Sequence, residues 1–508
     1  MSPSAPTDRL ETVSLGAIAV SLSAGVAGVA GSYAAASFTP AFIAGPIAGL
    51  LARRLPSVVV TYSILLLGDL GSQLNVVAAL ALSVLLLAAA TGAGLAVAER
   101  LGVAGAAPQA AGVLAAIAAV LVTGATIPSL AAGVAVALVV AVANLLSLTD
   151  CEAGFRDRRG VLGGVASAIG VLGGGYLLGS SSGASSNPEP SDIDNDGAQA
   201  EIGPLLQEAN DKSLDVEGLE PLVSERFYEV DINATDPTVS PDDWTLSITG
   251  AVDEEVSYTY DEVTGMDAEN RFVTLRCVGE KLNGRKLDNA LWTGVPIMDL
   301  VGPAGPADEC CVMLHATDGY YQEFPLSALE DGFLAYGMNG ETLPRGHGSP
   351  ARVLIPGHWG EINVKWVTEI EVIEEEAEGY WEERGWHGTG PVKTVAKMHL
   401  VEELDGGRAR VGGHAYAGTR GIGGVEVTTD GGETWTDATL SEPLPGEDVW
   451  RQWVHEYDAP EGPHDVTVRA IEADGTVQPS ERTDAFPRGP SGWVTRTVGG
   501  GGGGRFGR

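Results

Sequence analysis

The stretch RFVTLRCVGEKLNG, Arg271 to Gly284, alternates as a buried strand does: Phe272, Thr274 and Arg276 fall on one face, Val273, Leu275 and Cys277 on the other. Cys277 arrives where a polar, glycine-containing loop begins. A thiol at a strand exit is rigidly placed, and as a thiolate it is a soft metal ligand. The commoner fate of a free cysteine is a buried core position. Arg276 beside it favours the thiolate if the guanidinium faces the sulfur. The remaining cysteines, Cys151, Cys310 and Cys311, form no disulfide framework. Cys310 and Cys311 are adjacent, ahead of VMLHATDGYY, and read as buried strand residues rather than a redox pair. Neither C-x-x-C nor C-x-x-C-H occurs, which argues against structural zinc and c-type haem. Asp318, in ATDGYYQEF, is either a pocket-lining carboxylate or a hairpin-turn aspartate.

The elements that must position these residues lie in the second part of the chain. WTLSITGAV, RFVTLRCV, ARVLIPG and VKWVTEIEVIE read as strands, separated by Gly/Pro-rich loops and short helices such as GVPIMDLV, which predicts an α+β domain over 216–400. Over 401–495, GGVEVTTDGGETWTDATL is a hairpin with a D-G-G turn, and VWRQWVHEYDA and HDVTVRAIEAD continue the alternation. Turn signals about every ten residues predict an immunoglobulin-like β-sandwich. Residues 496–508 are a glycine-rich tail expected to be disordered, and 181–215 an acidic linker expected to be flexible.

Residues 1–180 are of another kind. Apolar runs at 12–36, 75–98, 107–125, 127–147 and 160–179 each approach the ~20 residues that cross a bilayer. The segments 40–52 and 56–72 are shorter or broken by Pro40, Pro46 and Pro56. The expectation is an α-helical transmembrane bundle of five to seven spans. The segment CEAGFRDRRG, 151–160, carries three arginines and is expected on the cytoplasmic side, which sends everything after residue 180 outside. All eight histidines lie between 315 and 464, so this part cannot ligate haem through histidine. It is also neutral, with seven acidic and seven basic residues. The rest therefore carries the whole net charge of −37. Such an acidic surface excludes nucleic acid as a partner and suits solubility in concentrated salt.

Several separated blocks from Leu222 to Trp493 together resemble the sulfite oxidase family of molybdopterin enzymes. FVTLRCVGE…NALWTGVPIMDLV is similar to the family's metal-cysteine segment and the helix after it. LAYGMNGETLPRGHGSPARVLIPGHWGEINVKWVTEIEV is similar to its most recognisable block. GYWEERGWHGTGP and AYAGTRGIGGVEVTTDGGETW are similar to the family's later segments, including the dimerisation domain. The resemblance implies molybdopterin and molybdenum as cofactors, with Cys277 as the metal ligand. It implies that His347, Arg352, Val364 and Lys365 hold the pterin and its phosphate, with Phe227 and Tyr228 on the approach. Asp318 and Trp386 would be at the substrate. Animal members have a functional tyrosine after W-x-R-R-x-Y; here YWEERGWHG puts Trp386 in that place, and tryptophan can only donate. Arg226, Phe227, Tyr228 and Asp231 stand where animal and plant members carry an Arg-x-His-Asn-type stretch.

The activity so implied is a two-electron oxygen-atom transfer, sulfite-oxidase-like, in a membrane-anchored, multi-pass enzyme. Its catalytic part would face away from the cytoplasm, with an external electron carrier and a possible homodimer formed through the C-terminal domain. Reduction of sulfoxides by the same fold is the alternative within the family. A cofactor-free surface-binding protein is the alternative outside it.

Overall fold

The computed structural model describes residues 15–148, 165–178, 195–307 and 310–499, with the single residues 162, 191 and 193. The arginine-bearing loop at 151–160, residues 181–190 of the linker and the end of the tail at 500–508 lie outside the described residues. The chain divides into two compact units.

The first unit is helical. Its helices are α1 (Leu15–Ala36), α2 (Ala44–Arg54), α4 (Asp69–Arg100), α5 (Ala107–Thr123) and α6 (Thr126–Leu148), followed by a shorter apolar helix, α7 (Val165–Leu178); α3 (Ser57–Tyr62) belongs to the second unit. Four helices are long and apolar enough to cross a membrane: Gly16–Ala36, Leu70–Arg100, Ala104–Thr123 and Thr126–Leu146. The expected five to seven spans are therefore four among the described residues. The proline-broken segments account for much of the difference: α2 has 11 residues, and the run after Pro56 becomes α3 and a five-residue π-helical turn. Small residues let the long helices approach closely, as membrane helices do. A Cβ added at Gly112 would lie 2.7 Å from the Gly133 carbonyl, and one at Gly133 would meet the Gly112 carbonyl in return. Leu121, Ile127 and Val134 point outward, 82%, 72% and 68% exposed, as lipid-facing side chains would.

The second unit comprises Ser57–Leu66, Pro190–Val230 and Val239–Arg508. Its strands begin with β1 (Thr245–Gly250), β2 (Val256–Thr259), β3 (Glu269–Arg276), β4 (Leu287–Pro296), β5 (Cys311–Ala316) and β6 (Tyr321–Pro325). They continue with β7 (Phe333–Met338), β8 (Glu341–Thr342), β9 (Arg352–Leu354) and β10 (Val367–Ile373). One sheet runs β2-β1-β10-β5-β6, with β1 and β10 parallel; the other is antiparallel, β3-β4-β7, with β8 and β9 both paired to β7. This is the mixed-sheet α+β architecture expected. Cys311 is buried in β5, but it is joined to Cys310 by a disulfide between neighbours. The reading of both as buried strand residues is corrected: Cys310 is exposed and precedes the strand, and the two are bonded to each other.

The C-terminal strands form two further sheets. The first is β11 (Val395–Ala396), β13 (Arg408–Tyr416), β17 (Arg451–Asp458) and β16 (Thr439–Leu440), with β12 (Leu400–Leu404) also on β13. The second is β15 (Thr436–Asp437), β14 (Ile422–Thr428), β18 (His464–Glu472) and β19 (Val494–Val498). Their core is continuous with that of the preceding sheets. Trp450 Nε1 donates to the Leu222 carbonyl at 2.8 Å, and the Tyr416 hydroxyl to the Thr274 carbonyl at 3.0 Å.

The segment expected to be a flexible linker holds α8 (Asp196–Lys212). Asn195 caps it, its side chain accepting from the Ala198 N–H at 3.1 Å, and Ala198, Ile202 and Ala209 are buried along one face.

Candidate active site

Strand β3 delivers Cys277. Register with β4 persists one residue beyond the strand, the Cys277 N–H donating to the Lys286 carbonyl at 3.0 Å, so the thiol sits at a fixed strand end. The residue keeps partial exposure while its sulfur lies deep. Burial pushes the thiol up to about 11, with Lys286 pulling it back. Arg276 is held chiefly by other partners. Its guanidinium donates to Glu280 at 3.0 Å and to the Lys393 carbonyl at 2.7 Å, and lies 4.8 Å from the Trp359 ring centre. Glu280 also takes Lys397 at 2.6 Å, and the three side chains are 0–1% exposed. The cation beside the thiol thus anchors the loop after it. Lys286 is the chief charge that favours the thiolate, with the Gly279 amide helping, and only a bound metal would overcome the burial.

Gly279 stands beside the sulfur, among Trp386 and Ile64. A Cβ on Gly279 would stand 3.9 Å from Cys277 Sγ, 3.6 Å from the Trp386 ring and 3.8 Å from Ile64. Trp386 is buried, packed edge-on against Phe486 with ring centres 5.2 Å apart, and its Nε1–H has no acceptor. Ile64 comes from the short helical segment Ser57–Leu66, whose Thr61 hydroxyl donates to the Arg384 carbonyl at 3.3 Å. Nothing in the apolar run 56–72 points to such a position.

A cationic cradle is built by the turn Arg345–His347 and by β9. Arg352 donates to the His347 carbonyl at 3.3 Å and the Asn363 carbonyl at 3.0 Å, and Lys365 to the Gly346 carbonyl at 2.8 Å. Backbone bridges join Arg352 to Lys365 and Val353 to Val364, which brings 362–365 alongside. His347 is forced down to about 3, first by burial and then by Arg352 and Lys365. Gly348 has φ +108°, and a side chain there would press on the Cβ atoms of Arg352 and Lys365 at 3.0 and 3.1 Å. Arg345 leaves its buried Nε and Nη1 without partners. Unused buried guanidinium donors amid converging cations are costly unless an anion completes them. A phosphate-bearing cofactor fits this cradle, and a soft metal fits the lone thiolate.

Phe227 and Tyr228 join the two features. Phe227 meets the His347 ring edge-on at 5.6 Å and the Trp292 ring at 5.4 Å, and Tyr228 stacks on Phe227 at 5.5 Å. Asp288, which sequence reasoning misses, fixes this approach. Its carboxylate accepts from the Ser224 hydroxyl and the Tyr228 N–H, both at 2.9 Å, and burial raises it to about 7 against those bonds. Asp318 accepts from the Tyr320 N–H at 2.9 Å in the β5–β6 turn, so a turn role is present whatever else it does. Tyr320 in turn donates to the Glu361 carbonyl at 2.8 Å. Among the described residues no cluster of three or more His, Cys, Asp or Glu could hold a metal. A metal here would rest on the single thiolate and on donors the cofactor brings.

Residues 233–381 match the family model described as oxidoreductase molybdopterin binding domain, and 392–486 that described as Mo-co oxidoreductase dimerisation domain. The chain is similar to the mitochondrial sulfite oxidase of Homo sapiens, 29% identical over 297 residues, covering 48% of this chain and 54% of that protein. It is similar to an NADH nitrate reductase of Solanum lycopersicum, 27% identical over 270 residues, covering 41% and 30%. Among solved structures it is similar to the sulfane dehydrogenase SoxCD from Paracoccus pantotrophus, at 20% identity and a TM-score of 0.47, covering 58% of this chain and 91% of that one. The chain spans about half the length of the curated sulfite oxidases that it matches.

Proposed function

We propose, from the match of residues 233–381 and 392–486 to the two family models and the similarity to sulfite oxidases, that this chain is a membrane-anchored molybdenum-cofactor enzyme of the sulfite oxidase family that moves an oxygen atom, with two electrons, between water and a small oxyanion or sulfoxide. The observation that supports this reading is one free thiol at the fixed end of β3, in the same sheet as β9, whose Arg352 joins His347 and Lys365 in a cationic cradle. The cofactor, when bound, supplies the two-electron centre and the point of oxygen transfer.

The chain's own residues do the rest. Cys277 holds the metal. Arg345, Arg352 and Lys365 neutralise the phosphate, with neutral His347 as a hydrogen-bonding partner, while Val364 and the backbone of 362–365 position the pterin. Phe227 and Tyr228 wall the approach, and Asp318 lines the mouth. Trp386 shapes the substrate side, keeps water out and offers one N–H donor. The two C-terminal sheets act as an immunoglobulin-like dimerisation sandwich, an external carrier takes the electrons, and the catalytic part lies outside the cytoplasm.

Sulfite oxidation is the favoured direction. Sulfoxide reduction is a second reading, because Trp386 stands where animal sulfite oxidases carry a functional tyrosine.

The test is metal and pterin analysis of the full chain beside Cys277→Ser. We expect about one molybdenum per wild-type chain, and loss of the metal or of all turnover in the variant. Paired assays with sulfite and a sulfoxide then fix the direction. Neither molybdenum nor pterin in wild-type protein would favour a cofactor-free binding protein.

A further inference from the structure

Beside the thiol stands an apolar side chain from a distant part of the sequence. Ile64 belongs to Ser57–Leu66, which lies between α2 and α4 in the chain but within the second unit in space. Thr61 and Ile64, three positions apart, share the inward face of this segment. Thr61 is buried and its hydroxyl donates to the Arg384 carbonyl at 3.3 Å, while Ile64 packs, half-buried, on the core of the unit. Val59, Tyr62 and Leu66 are exposed on the other side.

The acceptor of the Thr61 bond lies in the loop that carries Trp386. The Trp381 carbonyl closes that loop, accepting the N–H groups of Arg384 at 2.9 Å and Trp386 at 3.0 Å. Gly385, at φ +83°, supplies the left-handed residue this turn needs. Phe486 then meets the Trp386 ring edge-on. Thr61 thus fastens Ile64 to the loop that sets the indole.

Gly279 marks the space these groups share. A Cβ there would be in ordinary van der Waals contact with the Trp386 ring, Ile64 Cγ2 and Cys277 Sγ, at 3.6, 3.8 and 3.9 Å. One carbon atom therefore reaches the sulfur, the indole and Ile64 at once, and a larger group there would require one of them to move. Neither wall yields readily. A β-branched side chain has few rotamers, and the indole is packed on Phe486. Ile64 has no polar side-chain atom, so it discriminates by size alone.

We propose that Ile64 is a substrate-selecting residue. With Trp386 it confines the space beside the Cys277 sulfur, so that the enzyme takes compact sulfur–oxygen compounds, sulfite foremost, and rejects those whose sulfur carries a bulky organic group. This rests on the function proposed above and names the substrate class of that same site.

A size series tests it with the chemistry held constant. Sulfite, methanesulfinate and benzenesulfinate each present a sulfur lone pair. Each takes one oxygen atom from water to become sulfate, methanesulfonate or benzenesulfonate, releasing two protons and passing two electrons to two ferricyanide ions. The third substituent on sulfur grows from oxygen to methyl to phenyl. Full-length wild type, Ile64→Val and Ile64→Ala are compared after molybdenum and pterin are quantified. In Ile64→Ala, kcat/KM for benzenesulfinate relative to sulfite should rise on the order of 10-fold, chiefly through KM, and in Ile64→Val by less. A merely structural role would lower the unfolding midpoint and leave this ratio alone.

A second readout needs no turnover. In full-length protein made without cofactor, alkylation of Cys277 by N-phenylmaleimide relative to maleimide, followed by mass spectrometry of its peptide, should also rise on the order of 10-fold in Ile64→Ala. An unchanged ratio in either series, at normal molybdenum loading for the first, would overturn the selection and leave the proposed function standing. So would wild-type enzyme that oxidises benzenesulfinate as readily as sulfite. If Ile64→Ala does not fold, Ile64→Val decides. If the wild type reduces sulfoxides and leaves sulfite untouched, methyl phenyl sulfoxide against dimethyl sulfoxide replaces the sulfinate series, with the same expected ratio. Wild-type protein without molybdenum would overturn both readings.

Discussion

Glu280 holds two buried cations, Arg276 at 3.0 Å and Lys397 at 2.6 Å, and accepts the Lys286 N–H at 3.0 Å as well. Its carboxylate ties the loop after Cys277 to the segment that leads into the C-terminal sheets. Withdrawing three charges from water is expensive, and it is repaid only while all three are present. Glu280→Gln leaves two cations facing each other, so a loss of ~3–5 kcal/mol is expected, read as a lower urea midpoint. Lys281→Gln, at an exposed neighbouring position, should leave the midpoint within ~0.5 kcal/mol of wild type. A Glu280→Gln midpoint equal to that of wild type would show the triad to be energetically idle. None of this was legible in the sequence. Arg276 is adjacent to Cys277, which invited a role toward the sulfur, whereas its true partners include a residue whose carboxylate meets Lys397 from 117 positions away. Cys277 itself was legible because strand alternation and the loop start fix its place locally.

At the scale of elements, the turn Arg345–His347 and strand β9 meet because Gly348 adopts φ +108°. Gly348→Ala adds a strained backbone conformation, worth ~1–3 kcal/mol, and a methyl against the Arg352 and Lys365 Cβ atoms at 3.0 and 3.1 Å. The expected result is a lower pterin content per chain with β-sheet circular dichroism retained; normal pterin content would detach this turn from cofactor binding. Most strands were legible from alternation. Helix α8 was readable too: Ala198, Ile202, Leu205 and Ala209 follow helical spacing behind an Asn195 cap. The preceding Ser- and Asp-rich run and Pro204 hid it among linker signals. The segment Ser57–Leu66 could not be placed by pattern, because its apolar residues suit a membrane and a protein surface equally. The Cys310–Cys311 bridge has no spacing signature at all.

Across the whole molecule, charge is the largest unbalanced quantity. The first 180 residues are neutral, so a net charge of −37 falls on the remainder. Added salt acts on this in two opposing ways. It weakens exposed pairs such as Arg410–Glu456 and Arg271–Glu269, each worth at most ~1 kcal/mol. It also screens the repulsion among excess carboxylates, shortening the Debye length from ~10 Å at 0.1 M to ~3 Å at 1 M. Beyond residue 180 acidic residues outnumber basic ones 60 to 23, so cations are too few to neutralise them, and the Arg276–Glu280–Lys397 triad is too deep for salt to reach. Relief of repulsion should therefore win. The unfolding temperature of the full chain, followed by near-ultraviolet circular dichroism in detergent, is expected to rise from 0.1 to 1 M KCl. The apparent KM for sulfite should fall over the same range, as an acidic surface stops repelling an anion and the local arginines decide binding. A falling unfolding temperature would mean that surface ion pairs outweigh the net charge. A rising temperature with an unchanged KM would place the repulsion away from the site.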